Sequence, residues 1–296
     1  MNEPTLHHLD CLDARGLHRM AYWQWGDPAN PRVLVCVHGL TRQGRDFDEL
    51  ARELSGSWRV VCPDVVGRGV SDWLADPAGY GVPSYVADMV ALIARLGVPQ
   101  VDWVGTSMGG LIGLGVASLK RRDGSRLVRR LVLNDVGPTL EPVAIARIGT
   151  YVGQPARWKT VDEAADALWA LSSGFGPHTR EQWLALTRPQ LIAVDDAQGP
   201  GFKSRYDPAI ALPFKAVTPE LAAAGEALLW QAWDGLTMPT LVLRGAESDL
   251  LSRATCAQMQ SRGPRALVHE FAGVGHAPTL VAPEQRAVVR DFLALP

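Results

Sequence analysis

The sequence predicts an α/β chain: a doubly wound, mostly parallel sheet interrupted by one inserted helical cap. Three observations carry this. Short β-branched runs alternate with segments of helical period, the mark of a parallel sheet with helices on both faces. The early runs are nearly continuous in apolar residues, as strands covered on both sides must be. One long stretch then breaks the alternation.

In chain order, alternating His18, Met20, Tyr22 and Gln24 predict an antiparallel edge strand feeding the sheet. Residues 32–37, 58–62, 101–105, 127–133, 240–244 and 266–271 read as further strands. Between the second and third of these, Ser84 is a helix cap, with Val86, Met89, Val90 and Ile93 spaced for one face and Gly97-Val98-Pro99 as the stop. A helix over 110–119 follows the 101–105 strand, and Pro283 opens a last helix with Val288, Val289 and Phe292 inward. From Leu140 to Trp233 no buried strand is evident, only helical pieces carrying Trp158, Trp169, Trp183 and Trp230. An insertion of roughly 90 residues is too long for a surface connection and is expected to be a lid. The expected division is therefore 1–137 and 234–296 as one core, with 138–233 as the cap.

Composition narrows the function. The 296 residues carry 29 basic and 31 acidic side chains, a formal charge of −2. No basic run extends past Lys120–Arg122, so nucleic acid and membrane surfaces are poor partners. Met1-Asn2-Glu3-Pro4 lacks a basic flank and an apolar continuation, and the apolar run Val33–Val37 is far short of the ~20 residues of a span, so a cytoplasmic location is expected. Cys11, Cys36, Cys62 and Cys256 are scattered, without metal spacing, and are expected to be buried thiols.

The chemistry centres on Gly105-Thr106-Ser107-Met108-Gly109, a G-x-S-x-G pattern. Five residues alone are weak evidence, but this pattern leaves a strand and opens a helix, the context in which a sharp turn exposes a nucleophilic serine. Flanking glycines let strand and helix approach without Cβ clashes. His38-Gly39-Leu40 follows another strand. The Leu40 and Met108 backbone N–H groups are the expected oxyanion hole, and His38 a loop brace rather than a base.

Of seven histidines, His276 is the expected base, because Gly273-Val274-Gly275-His276 leaves the last strand toward the rim where Ser107 emerges. The acid that orients it is expected to be Asp249, leaving the 240–244 strand. Asp135, after the 127–133 strand, is the alternative on the same rim, and Glu247 a more distant one. The cap segment from Lys203 to Ile210 supplies Arg205 and Lys203 as candidates for binding a substrate carboxylate, and Trp73 is a further candidate contact.

These motifs, with Asp64-Val65-Val66-Gly67-Arg68-Gly69-Val70-Ser71, resemble the α/β-hydrolase superfamily over 1–137 and 234–296. The resemblance implies a serine hydrolase working through an acyl-enzyme, with Asp64 to Ser71 a structural loop and no metal or organic cofactor. A serine at 107 departs from the dehalogenase and epoxide hydrolase branches, known for an aspartate there. Lys203 to Ile210 is similar to segments of bacterial esterases of short hydroxyalkanoate oligomers. A small carboxylic ester, a short hydroxyalkanoate ester or a lactone, is the expected small-molecule substrate. The alternatives are a carbon–carbon bond hydrolase of dienoic keto acids, a cofactor-free oxygenase, and a small-ligand receptor on the same fold. Oligomeric state is not legible.

Overall fold

The computed structural model describes residues 3–295; Met1, Asn2 and Pro296, on which part of the terminal reading rests, lie outside it. The strands are β1 (Thr5–Asp13), β2 (Gly16–Trp25), β3 (Val33–Val37), β4 (Arg59–Asp64), β5 (Val101–Thr106), β6 (Val128–Asn134), β7 (Arg157–Trp158), β8 (Leu191–Asp196), β9 (Gly199–Ser204), β10 (Thr240–Gly245) and β11 (Leu267–Phe271). The helices are α1 (Asp48–Leu54), α2 (Val82–Leu96), α3 (Met108–Ser118), α4 (Pro142–Tyr151), α5 (Val161–Ser172), α6 (Arg180–Thr187), α7 (Ala211–Lys215), α8 (Pro219–Asp234), α9 (Arg253–Ser261) and α10 (Pro283–Ala294).

Eight strands form one sheet in the order β1-β2-β4-β3-β5-β6-β10-β11. The β1–β2 and β2–β4 pairs are antiparallel and every later pair is parallel. All five residues of β3 are buried, as are the first five of β5, so these central strands are covered on both faces. The segment read as the edge strand is β2, one place in from the edge. The edge itself is β1, whose mostly exposed side chains give it little apolar signature. α2 starts at Val82, with Pro83 in its first turn and Gly81 as its cap, and it stops at Gly97 in the left-handed region (φ 72°). It buries Tyr85, Asp88, Met89, Leu92, Ile93 and Leu96. The expected face is thus rotated, with Val86 and Val90 at its margin.

The inserted region is not purely helical. β7, β9 and β8 form a small antiparallel sheet, which periodicity missed because β8 is largely exposed and Gly199, Pro200 and Gly201 sit in β9. Ala165, Trp183 and Leu186 pack with Val281, from the segment just before α10, in a small cluster separate from the main core. α8 packs on α3, and Trp233 is fully buried in the main core. The inserted stretch is thus joined to the main core at its carboxyl end. All four cysteines are free and buried, and among the described residues no helix is long and apolar enough to cross a membrane.

The crossing of β5 into α3 positions everything downstream. Ser107 holds φ 52°, ψ −118°, a strained backbone for a residue with a side chain. A Cβ on Gly105 would stand 2.2 Å from the Gly109 carbonyl oxygen, and one on Gly109 would stand 2.0 Å from that of Val37. The fully buried Trp103 indole donates to the Gly109 carbonyl at 3.1 Å and locks the turn from below. Gly109→Ala is therefore expected to destabilise the fold by more than the ~1–3 kcal/mol of ordinary overpacking, because the obstacle is backbone. Urea unfolding checks this; a midpoint unchanged from wild type would show the crossing to be loose.

Candidate active site

Three loops at the carboxyl ends of β5, β6 and β11 meet on one rim. Ser107 Oγ lies 2.9 Å from His276 Nε2, and His276 Nδ1 lies 2.7 Å from Asp135 Oδ2. Since an ionised carboxylate only accepts, Nδ1 carries the proton, and Nε2 of the neutral ring accepts from the serine hydroxyl. Asp135 is fully buried. Its Oδ1 accepts the Gly245 N–H at 2.8 Å, and its Oδ2 also accepts the Ser248 hydroxyl at 2.6 Å. Asp135 has φ 56°, and its own N–H is bonded to the Leu243 carbonyl at 2.8 Å. The strand β10 thus clamps the carboxylate on backbone and side chain alike.

Asp249 stands elsewhere, a correction to the acid expected from the sequence. Its two oxygens accept from Arg147 Nε and Nη2 at 2.7 and 2.9 Å. Burial pushes its carboxyl up, but the Arg147 hydrogen bonds and charge outweigh that and hold it below the usual carboxylate range. Both aspartates leave strands on the same rim and both precede His276, so chain order does not separate them. What separates them is distance from the strand: Asp135 follows β6 by a single residue and is fixed by the sheet, whereas Asp249 lies four residues past β10 on a loop reaching toward the cap. Glu247 is not bonded to His276; its N–H bonds to the Val274 carbonyl.

Leu40 lines the same cavity as Ser107, and Met108 follows Ser107 directly. Met108 is the first residue of α3, where an N–H has no intrahelical acceptor and the helix dipole is positive. The sequence offered no reason to single out Arg68, which is fully buried. Its guanidinium donates to the Leu40 carbonyl at 2.8 Å, the Val66 carbonyl at 2.8 Å and the Tyr85 hydroxyl at 2.9 Å, and approaches Met108 Sδ at 3.7 Å. One side chain thus holds both Leu40 and Met108. Asp64 braces the loop beside them by accepting the Gly44 and Val70 N–H groups at 2.7 and 2.9 Å.

The cap closes a cavity of about 200 Å³ over Ser107. Its apolar wall includes Ile148, Val152, Leu168, Leu171, Phe175 and Trp158. Two guanidinium groups also face it, Arg147 and Arg42, the latter paired with Asp46 at 2.5 and 2.7 Å. Arg205, Lys203 and Trp73 do not line it. Ser204 and Tyr206 do, and alternation along this extended segment turns Lys203 and Arg205 away. Lys203 pairs with Asp196 at 3.1 Å, Arg205 donates to the Leu191 carbonyl at 3.0 Å, and Trp73 is exposed.

Residues 34–291 match the alpha/beta hydrolase family, and the chain belongs to that family. It is 55% identical over 289 residues, 98% of this chain and 97% of the other, to a 3-hydroxybutyrate-oligomer hydrolase of Cupriavidus necator. It is 28% identical to a 2-hydroxymuconate semialdehyde hydrolase of Pseudomonas, over 82% of this chain and 78% of that one. An alpha/beta hydrolase of Novosphingobium aromaticivorans superposes with a TM-score of 0.83 at 37% identity, covering 99% of both chains.

His38 is a brace with a measurable signature. Its Nε2 accepts the Val65 N–H at 2.9 Å and its Nδ1 donates to the Gly39 carbonyl at 2.7 Å. Burial lowers its pKa from 6.5 to about 3, helped by the Arg68 and Arg42 charges. Because the folded value is depressed, the unfolded chain takes the proton first as pH falls, and stability is lost from pH 6.5 downward. The loss by pH 5 is on the order of 2 kcal/mol. Asp64 opposes it: burial raises its carboxyl from 3.8 to about 6, so its protonation in the folded state favours folding as pH falls through that range. The prediction therefore concerns a difference. His38→Asn is expected to be less stable than wild type at pH 7, with the gap shrinking by about 2 kcal/mol at pH 5 in urea titrations; a constant gap would mean His38 takes up its proton as readily in the fold as in the unfolded chain.

Proposed function

We propose that this chain, a carboxylic ester hydrolase of the α/β-hydrolase type, cleaves esters of short 3-hydroxyalkanoate oligomers through an acyl-enzyme on Ser107. The observation that carries the reading is the continuous hydrogen-bonded chain Ser107–His276–Asp135 beneath a small cavity. The substrate class rests on the 55% identity to the 3-hydroxybutyrate-oligomer hydrolase.

In this mechanism His276 Nε2 takes the Ser107 proton as Oγ attacks the ester carbonyl. The Leu40 and Met108 N–H groups hold the oxyanion, and Asp135 stabilises the imidazolium. His276 then protonates the departing alkoxide, which leaves as the hydroxyl end of one fragment. Water deprotonated by His276 attacks the acyl-enzyme and releases the carboxylic acid and Ser107. The cavity is smaller than the 300–1,000 Å³ of sites for drug-sized ligands, which favours a short acyl group. Arg147 is the residue assigned to the oligomer's free carboxylate: its guanidinium lines the cavity and is held there by Asp249 and by Tyr151, which lines the same cavity. The four buried free thiols support a cytoplasmic location.

A carbon–carbon bond hydrolase is the second reading, favoured by the 28% identity to the semialdehyde hydrolase. Hydrolysis of the 3-hydroxybutyrate dimer set against a vinylogous diketone distinguishes the two, and faster turnover of the diketone would overturn the ester assignment. Ser107→Ala should abolish dimer hydrolysis.

The two carboxylates have opposite expected outcomes. Asp135→Asn should lower kcat about 10⁴-fold, the cost of losing the acid behind a catalytic histidine, while Asp249→Asn retains kcat within about tenfold. The reverse pattern in steady-state kinetics would return the acid's role to Asp249. Arg147→Met should raise KM for the free-carboxylate dimer about tenfold or more and leave KM for its methyl ester nearly unchanged. Equal effects on both would make Arg147 a cap contact only.

A further inference from the structure

The edge hairpin β1–β2 sets Cys11 directly opposite His18. Alternation puts Asp13 on the same face of the sheet, and α2 covers that face. Asp88 is the anomaly there. It stands among Tyr85, Met89 and Leu92 on the buried side of α2 and is 2% exposed, a costly place for a carboxylate unless something matches it. Its Oδ2 is 3.1 Å from His18 Nε2. The donor atoms of Cys11, His18 and Asp88 all lie within 4.8 Å of one another, and all three residues are buried. At the opposite edge of the imidazole, Nδ1 is 3.3 Å from Asp13 Oδ2 but out of hydrogen-bond alignment with it.

We propose that Cys11, His18 and Asp88 form a site for one divalent metal ion of the zinc class, at the hairpin edge of the sheet. Thiolate, imidazole and carboxylate together are a zinc donor set. The 3.1 Å between His18 and Asp88 is close to the separation of two ligands each about 2.0 Å from a tetrahedral centre. Water takes the fourth position. Asp13 stands where a carboxylate orients a metal-bound histidine through its other nitrogen. The surroundings attract a cation: the carboxylates of Asp88 and Asp13 stand at the two nitrogens of the His18 ring. The thiol proton passes to solvent as the sulfur–metal bond forms, with no change of oxidation state. The sheet order places β1 four strands from β5, so the ion would tie the hairpin to α2 and stand apart from Ser107.

Cobalt(II) tests this on the full chain after exhaustive dialysis against a chelator. The expected result is a near-ultraviolet thiolate-to-cobalt charge-transfer band that saturates at one equivalent, is displaced by zinc, and is accompanied by a higher Tm in zinc. Cys11→Ser, which keeps a hydroxyl toward Asp88, should lose the band and bind metal about tenfold or more weakly, while ester turnover stays at the wild-type level. Absence of the band in the wild type, or an equal band in Cys11→Ser, would overturn the site and leave a hydrogen-bonded cluster. The wild-type band alone reports a thiolate ligand, so the test stands even if the variant fails to fold.

Discussion

The architecture depends on one close backbone approach. β5 must end and α3 must begin within a turn so tight that Gly105, Gly109 and the Val37 carbonyl leave no room for a Cβ. That approach forces Ser107 into a left-handed backbone, which lifts its side chain off the rim and aims the first amide of α3 beside it. The strain, on the order of 1–3 kcal/mol, is sustained because the parts around it are overdetermined. Trp103 holds the Gly109 carbonyl, Asn134 accepts the Ser107 N–H at 2.9 Å, and the Ser107 carbonyl receives Gly110 N–H at 2.8 Å.

The same logic extends sideways along the rim. Asn134 closes β6 and, through its side chain, donates to Thr106 at 2.9 Å and to the Pro278 carbonyl at 2.7 Å, joining the serine strand to the histidine loop. Asp135 follows at once. At the end of β10 a Cβ on Gly245 would stand 2.3 Å from the Gly275 carbonyl oxygen, so the histidine loop packs directly on the strand whose N–H holds the acid. A buried carboxylate is tolerable here because it accepts from Gly245, Ser248 and His276 together.

The central strands were legible because burial on both faces writes itself as β-branched runs. The turn that presents Ser107 was legible because a steric requirement for glycine on both sides of a serine is a local property. His276 could be placed because it had to leave the last strand at the right end. The carboxylate partner of His276 was not legible, since two aspartates met every sequence criterion and only the third dimension distinguishes a residue tied to β6 from one reaching an arginine of the cap. Arg68 was invisible for a related reason: a charged residue between glycines reads as a solvated loop until four of its N–H donors are seen to meet partners inside the fold. The cap sheet escaped because exposed strands rich in glycine carry no periodic signal. The Cys11–His18 pairing also needed a register, and β1 had left almost no apolar trace from which to read one.

The cap is joined to the chemistry by more than proximity. The Gly174 carbonyl accepts the Gly275 N–H at 2.5 Å, one residue from His276, and His178 meets Thr279 at 2.8 Å on the far side of it. On the opposite wall, Arg147 of α4 grips Asp249 of the core loop. The lid therefore fixes both the loop that carries the base and the loop that follows β10. An ester entering the cavity meets a guanidinium already oriented by a carboxylate and a histidine already oriented from above and below. Little reorganisation is left for the transition state, the condition under which fixed dipoles lower a barrier most. Asp249 thus ties the cap to the core through Arg147 at the cavity wall, while Asp135 is bonded to the histidine.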